Sequence, residues 1–148
     1  MTQGAPQATP ASTEVVTKLF NDVISGKAVD MAADLFTSDV VDHHRIVLTE
    51  PGGPGSVETG LKMLLNAFPD LKATVQALLC DGGTVVARFE LAGTNTGDYR
   101  HLSAPTGRFA RWEAIGIFRI GDGRIAEIWG NADRMGMLTQ LGLLPDIG

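Results

Sequence analysis

Apolar residues follow helical spacing in the first half of the chain and alternate with polar ones in the second. Val15, Val16, Leu19, Phe20, Val23 and Ile24 recur as one face of a helix, with Ser12 or Thr13 placed to cap its start and Gly26 to allow its exit. Met31, Ala32, Leu35 and Phe36 predict a second, short helix ending near Thr37. The stretch Asp39 to Ile46 reads as a strand. Pro51-Gly52-Gly53-Pro54-Gly55 can extend neither helix nor ladder, so it reads as a loop able to serve as a lid. Leu61, Leu64, Leu65 and Phe68 then predict a third helix, capped by Ser56 or Thr59 and stopped before Pro69.

Four strands follow: Lys72 to Cys80, Thr84 to Thr94, Arg108 to Ile120 and Arg124 to Gly130. Turn signals at Asp81-Gly82-Gly83 and Gly121-Asp122-Gly123 join them as two hairpins. The connection from Asn95 to Gly107 is too long for a tight turn, which implies that the sheet bends or changes partner there. Met135 to Leu141 closes the chain as a short helix, with Asp133 available as its cap. Helices first and hairpins afterwards indicate an α+β fold, with helices on one face of an antiparallel sheet. Residues 1–12 read as a loose tail and 13–148 as a single domain, since 148 residues leave room for one core.

Composition narrows the class. Hydrophobic residues make up 44% of the chain and glycine adds 18 positions, against 20% charged, so there is ample apolar surface to offset the entropy of folding. The surplus suggests an apolar cavity or an interface. A formal charge of −5, with the 12 Lys and Arg scattered, argues against nucleic acid as a partner. One cysteine, Cys80, can make no internal disulfide, and no run approaches the length of a membrane span, so the expectation is a soluble, cytoplasmic protein. Three histidines without zinc spacing, and no Gly-x-Ser-x-Gly, phosphate loop or dinucleotide fingerprint, give no sign of a metal or nucleotide cofactor.

Several segments carry a resemblance: Phe68-Pro69-Asp70-Leu71, Gly93-Thr94-Asn95-Thr96-Gly97, Ala104-Pro105-Thr106-Gly107-Arg108, Phe118 to Trp129, and Gln140-Leu141-Gly142. In this order and spacing, from about Val15 to about Pro145, the chain resembles the SnoaL-like polyketide cyclase family. The resemblance implies a nuclear transport factor 2 type of fold, a curved antiparallel sheet with three to four helices forming a cone-shaped α+β barrel around an apolar pocket. It also implies ring closure of a polyketide by an intramolecular aldol reaction without cofactor, and pairing as a homodimer through the outer face of the sheet. On the alignment, the family's catalytic aspartate falls on Gly130 and its supporting histidine on Gly116, while the histidine that often follows Gly-Thr is Asn95. Glycine can neither remove a proton nor stabilise an enolate through a side chain.

Strand alternation on that alignment turns Trp112, Ala114, Gly116 and Phe118 toward the pocket, with Phe89, Leu91, Gly93 and Asn95 on the preceding strand and Ala126, Ile128 and Gly130 on the last. Tyr99 could overhang the mouth. The substrate-binding set is therefore Phe89, Leu91, Asn95, Tyr99, Trp112, Gly116, Phe118, Ile128 and Gly130, a roomy apolar wall suited to a polyene or polycyclic substrate. Candidate catalytic groups are Asp42 with His44, two apart on the first strand, and Asp133, three residues beyond Gly130. Asp133 could equally cap the last helix, and Asp42 could be a solvated strand end. Arg111 and Glu113 are expected on the opposite face, against solvent, a partner subunit or each other; Trp129 is expected in the core or an interface. The leading functional reading is a cyclase that orients its substrate by shape, such as for a pericyclic closure, with a relocated aldol base at Asp42 or Asp133, a hydroxylase or epoxide-opening enzyme, and a non-enzymatic binder of an apolar metabolite as alternatives.

Overall fold

The computed structural model describes residues 10–43, 54–99 and 104–145. Strands β1 (Phe36–Asp42), β2 (Lys72–Asp81), β3 (Thr84–Thr94), β4 (Phe109–Gly121) and β5 (Arg124–Ala132) form a five-stranded sheet in the order β1-β5-β4-β3-β2. The expected hairpins β2–β3 and β4–β5 are present, and the β4–β5 turn takes the left-handed conformation at both Asp122 (φ 54°) and Gly123 (φ 76°). That turn matches the twist of the flanking strands, and Asp-Gly is among the residue pairs that enter it readily.

The expected α+β arrangement, a curved sheet with helices on one face, is present, and two details refine it. β1 lies parallel to β5, and the sheet is curved but unclosed, with β1 and β2 as its edges. Parallel neighbours cannot be joined by a tight turn, and here α3, the β2–β3 hairpin and β4 all lie between β1 and β5 in the chain. β1 also begins at Phe36, where the periodicity predicts the last turn of a helix, because helix α2 (Ala32–Leu35) stops after one turn.

Helix α1 (Pro10–Lys18) starts earlier than Ser12 or Thr13, so Ser12 is a buried helical residue and not a cap; proline is tolerated in a first turn, where its missing N–H costs nothing. The helix widens into a π-helical segment over Leu19–Ser25, whose residues Leu19, Phe20, Val23 and Ile24 are all buried. Its exit uses Lys27 in the left-handed region (φ 64°), not Gly26 (φ −81°). Gly26 is needed for closeness instead, since a Cβ there would lie 2.5 Å from the Asp22 carbonyl oxygen. The Lys27 ammonium donates to the carbonyls of Ile24, Ser25 and Leu71 and so ties the exit to the start of β2.

Helix α3 (Pro54–Ala67) begins inside the expected Pro-Gly loop, again with proline in the first turn, and the rest of the expected lid lies outside the described residues. The helices cover the concave face of the sheet. Phe20 meets Phe89 at 4.4 Å and Phe118 at 6.0 Å between ring centres, and Phe68, at the end of α3, meets Trp112 at 5.1 Å and Tyr99 at 6.2 Å. Both aromatic groups contribute to the site, Phe20, Phe89 and Phe118 from one and Trp112 and Tyr99 from the other.

Helix α4 (Arg134–Gln140) closes the described chain. β5 leaves the sheet after the Asp133 N–H bonds the Glu113 carbonyl at 3.0 Å, which exposes the edge of β4 beyond that point. The Gln140 side-chain amide takes the place of the missing strand, accepting from Arg111 N and donating to Arg111 O, each at 2.8 Å. Leu141 is buried, and Gly142 (φ 79°) ends the helix in a Schellman turn, with Leu143 N on Leu138 O and Gly142 N on Thr139 O.

Candidate active-site cavity

A cavity of about 170 Å³ opens between the helices and the concave face of the sheet. Its walls are side chains of the first helix (Leu19, Phe20, Ile24), of α3 (Val57, Leu61, Met63, Leu64) and of the inward faces of β3, β4 and β5. Phe89, Leu91, Trp112, Gly116, Phe118, Ile128 and Gly130 all line it, as does Tyr99 from the β3–β4 connection. Trp112 and Tyr99 are buried at 4% and 6% exposure, so their rings are parts of the wall and not of the outer rim.

Register explains the grouping. Gly116 pairs with Gly130 across β4 and β5, with Phe118 opposite Ile128 on one side and Ala114 opposite Ala132 on the other. On the other flank Ala87 lies opposite Gly116 and Phe89 opposite Ala114. The inward face around the glycine pair therefore carries small side chains, aromatic rings and Ile128. The expected hollow above Gly116 is filled, however: a Cβ at Gly116 would sit 2.9 Å from Phe118 Cε1 and 3.0 Å from Cζ. The ring lies along its own strand over the glycine, so the cavity is smaller than the roomy pocket expected. Beyond Leu91 the wall closes, because a Cβ at Gly93 would meet Phe68 Cβ and Asp70 Oδ1 at 3.1 Å.

Charge reaches this cavity from two residues among those described, Asp42 and Arg134. Asp42, on β1 opposite Ile128, is 8% exposed, so it is not a solvated strand end. Its expected partner His44 lies outside the described residues. His43, its neighbour, turns outward, stacks on Trp129 with ring centres 4.9 Å apart and planes 5° from parallel, and bonds Glu127 Oε2 at 2.6 Å. With the Arg119 guanidinium also on Glu127 at 2.9 Å, these two partners, His43 foremost, hold the Glu127 carboxyl below the ordinary range. Trp129 thus belongs to the outer face and not to the core.

Two residues of the predicted site stand away from the cavity. Asn95 is fully buried, but its amide donates to the carbonyls of Ala67 (3.1 Å) and Gly97 (2.7 Å) while its oxygen accepts from Thr106 N and Oγ1, both at 2.9 Å. Its hydrogen-bonding groups are committed to knotting the β3–β4 connection onto the end of α3. Asp133 is exposed and caps α4, its Oδ1 accepting from Gly136 N at 2.9 Å. Arg111 and Glu113, read as possible partners of each other, instead pair diagonally with β3, Arg111 with Glu90 at 3.4 Å and Glu113 with Arg88 at 3.6 Å. Among the described residues no group of three or more His, Cys, Asp or Glu is placed to hold a metal ion.

The sequence model of the SnoaL-like polyketide cyclases matches residues 14–141. The chain belongs to the SnoaL-like polyketide cyclase family. No curated protein matches it in sequence. Among solved structures it is similar to AclR, a candidate hydroxylase from Streptomyces galilaeus (20% identity, 95% of this chain and 87% of that one, TM-score 0.82). It is similar also to TsrD from Streptomyces laurentii (22%, 93% and 100%, 0.81) and to IdmH, a candidate polyketide cyclase from Streptomyces antibioticus (27%, 88% and 98%, 0.75). Family membership points to an enzyme on a nuclear transport factor 2 type of fold.

Within this SnoaL-like cavity, sequence reading misses Arg134 and the α3 wall. Arg134 follows the capping Asp133 and shares a helix face with Met137, three residues on, which is 1% exposed and also lines the cavity. That i, i+3 relation was the available signal: the apolar spacing that locates α4 also places Arg134 on its inward side. No helix among the described residues is long and apolar enough to cross a membrane.

Proposed function

We propose that this protein is a cofactor-independent polyketide cyclase that closes a ring in a polyketide-derived chain by confining it, as in a cycloaddition. The observation that supports this reading is the cross-strand pair Gly116 and Gly130, which faces the cavity where the family alignment would put an aspartate and its histidine. A pericyclic closure transfers no proton, so it needs orientation and a desolvated wall, and alignment of two parts of one chain is worth up to about 7–11 kcal/mol of barrier. Phe89, Leu91, Trp112, Phe118, Ile128 and Tyr99 would fold the substrate against the glycine pair. The ligand is a small-molecule polyketide, and the protein acts as a homodimer.

A second reading is favoured by the burial of Asp42 in the same cavity: an aldol cyclase whose base has moved from β5 to β1. Purified protein incubated with a linear polyene precursor and monitored by mass spectrometry and NMR distinguishes the two. Shape-directed closure predicts cyclised product from the wild type and from Asp42→Asn at rates within about threefold. Loss of product in Asp42→Asn by more than about a hundredfold, the usual scale of a missing general base, transfers the assignment to the aldol reading. An unchanged precursor in both, over a concentration range that saturates the cavity, defeats the cyclase reading.

A further inference from the structure

The two charged residues of the cavity wall are placed unequally along β5. Asp42 is level with Ile128, the glycine pair comes two residues later, Ala132 two residues after that, and Arg134 follows at the start of α4. At about 3.3 Å per strand residue, the glycine pair lies roughly 7 Å from each of the Asp42 and Ala132 levels. The residues that carry the acidic and basic groups therefore stand toward opposite ends of the open part of the wall. Arg134 is the one cationic residue lining the cavity among the described residues, and its helix face is fixed by Met137, packed into the core.

A guanidinium at one end of a mostly apolar cavity is a strong recognition element. It stays charged at any ordinary pH and presents paired N–H donors that match the two oxygens of a carboxylate. In surroundings poor in water such a contact is stronger than on a surface. A wholly apolar substrate would draw nothing from it.

We infer that Arg134 is the specificity-determining residue of this cavity and that the substrate is an unsaturated, apolar chain ending in a free carboxylate, which Arg134 holds at the α4 end while the unsaturated part lies against Gly116 and Gly130. The inference rests on the cavity being the ligand site, as in the proposed function, and adds to it the chemical class of the ligand. Asp42 at the opposite end offers carboxyl oxygens and no cation, so a carboxylate finds a guanidinium only at the α4 end. The same arrangement disfavours a chain still tethered as a thioester, which has no anion to offer Arg134.

The test uses sorbic acid, a small conjugated dienoic acid matched to a cavity of about 170 Å³, and its uncharged methyl ester, which stands for the tethered form. Each is titrated at neutral pH into the full chain while the Trp112 indole and the Gly116 and Gly130 amide signals are followed by NMR, with Trp129→Phe assigning the indole. The acid is expected to bind about tenfold more tightly than the ester. In Arg134→Gln the acid falls to the level of the ester while the ester is unchanged within about twofold, which shows the cavity intact; Arg134→Lys keeps part of the preference. Equal binding of acid and ester by the wild type overturns the inference, and so does a preference that survives in Arg134→Gln. Binding of neither probe overturns the cavity reading and the inference with it. A clear acid preference in a protein that leaves every precursor uncyclised defeats the proposed function alone.

Discussion

Alanine at position 116 would put its methyl carbon 2.9 Å from Phe118 Cε1, so the ring must leave its place over the strand. The space open to it is the cavity itself. Because the ring can swing into free volume instead of pressing on packed backbone, the expected stability loss of Gly116→Ala is modest, about 1–2 kcal/mol in denaturant unfolding. Ligand binding should suffer more, since the displaced ring occupies the ligand's place. The double variant Gly116→Ala/Phe118→Ala removes the clash, and its binding should recover relative to Gly116→Ala; if the two changes prove additive, Phe118 does not lie over Gly116 in solution. Glycine here makes room for a neighbouring aromatic side chain. That role could not be read from the sequence, where a glycine on a pocket-facing strand signifies only a missing side chain.

At the scale of elements, the segments that carry the family resemblance, the β4–β5 hairpin apart, turn out to be joints. Asn95 and Thr106 knot the β3–β4 connection to the end of α3, Asp70 accepts the Thr94 N–H at 2.7 Å, and Gln140 completes the edge of β4. This explains why the motifs identify the fold well while Asn95, chosen for its place in a motif, stands off the cavity. Strand spans were legible because period-two alternation and two Gly-containing turns coincide, and the bounds of β2, β3 and β4 shift by at most a residue from those read in the sequence. The start of β1 and the π-helical widening were not legible, because both depend on packing against β5 and against the cavity and leave no local signal. Removing one joint should have a local reading: Gln140→Ala frees both Arg111 backbone groups and loosens the docking of α4, lowering stability by about 1–2 kcal/mol and exposing the Arg111 amide to hydrogen exchange. Protection of that amide at the wild-type level in the variant would mean that the glutamine is not its partner.

The joint at Asp70 also makes stability depend on pH. Donation from the Thr94 N–H, chiefly, and the nearby Lys27 ammonium hold the Asp70 carboxyl below its ordinary value in the folded protein. Its folded value lies under its unfolded one, so the contribution is complete above the ordinary carboxylate range and is lost as pH falls through the folded value. Glu127 has the same sign. Unfolding midpoints should therefore drop on acidification below the carboxylate range, and Asp70→Asn should flatten that drop without changing its direction, because Glu127 still contributes. An identical acid slope in wild type and Asp70→Asn would assign the effect elsewhere.

For the molecule as a whole, the convex face of the sheet is the other broad surface, and in β3, β4 and β5 it is the reverse of the cavity. Ile115, Ile117 and Trp129 stand on it at 50%, 37% and 38% exposure, with Ile117 and Trp129 paired across β4 and β5. Around them run ion pairs of both signs: Arg88 with Glu113, Arg111 with Glu90, and Arg119 with Glu127. An apolar centre within a rim of alternating charge can oppose itself across a two-fold axis, each arginine meeting a glutamate of the other copy, whereas a partner of one charge sign would meet repulsion from half the rim. The expected assembly is thus a homodimer through this face, at micromolar concentration in analytical ultracentrifugation. Ile117→Asp buries a charge at the centre of the interface and should yield a monomer that still binds ligand, since the cavity opens on the opposite face. A wild-type monomer, or an Ile117→Asp protein that remains dimeric, would show that this face is not where two copies meet.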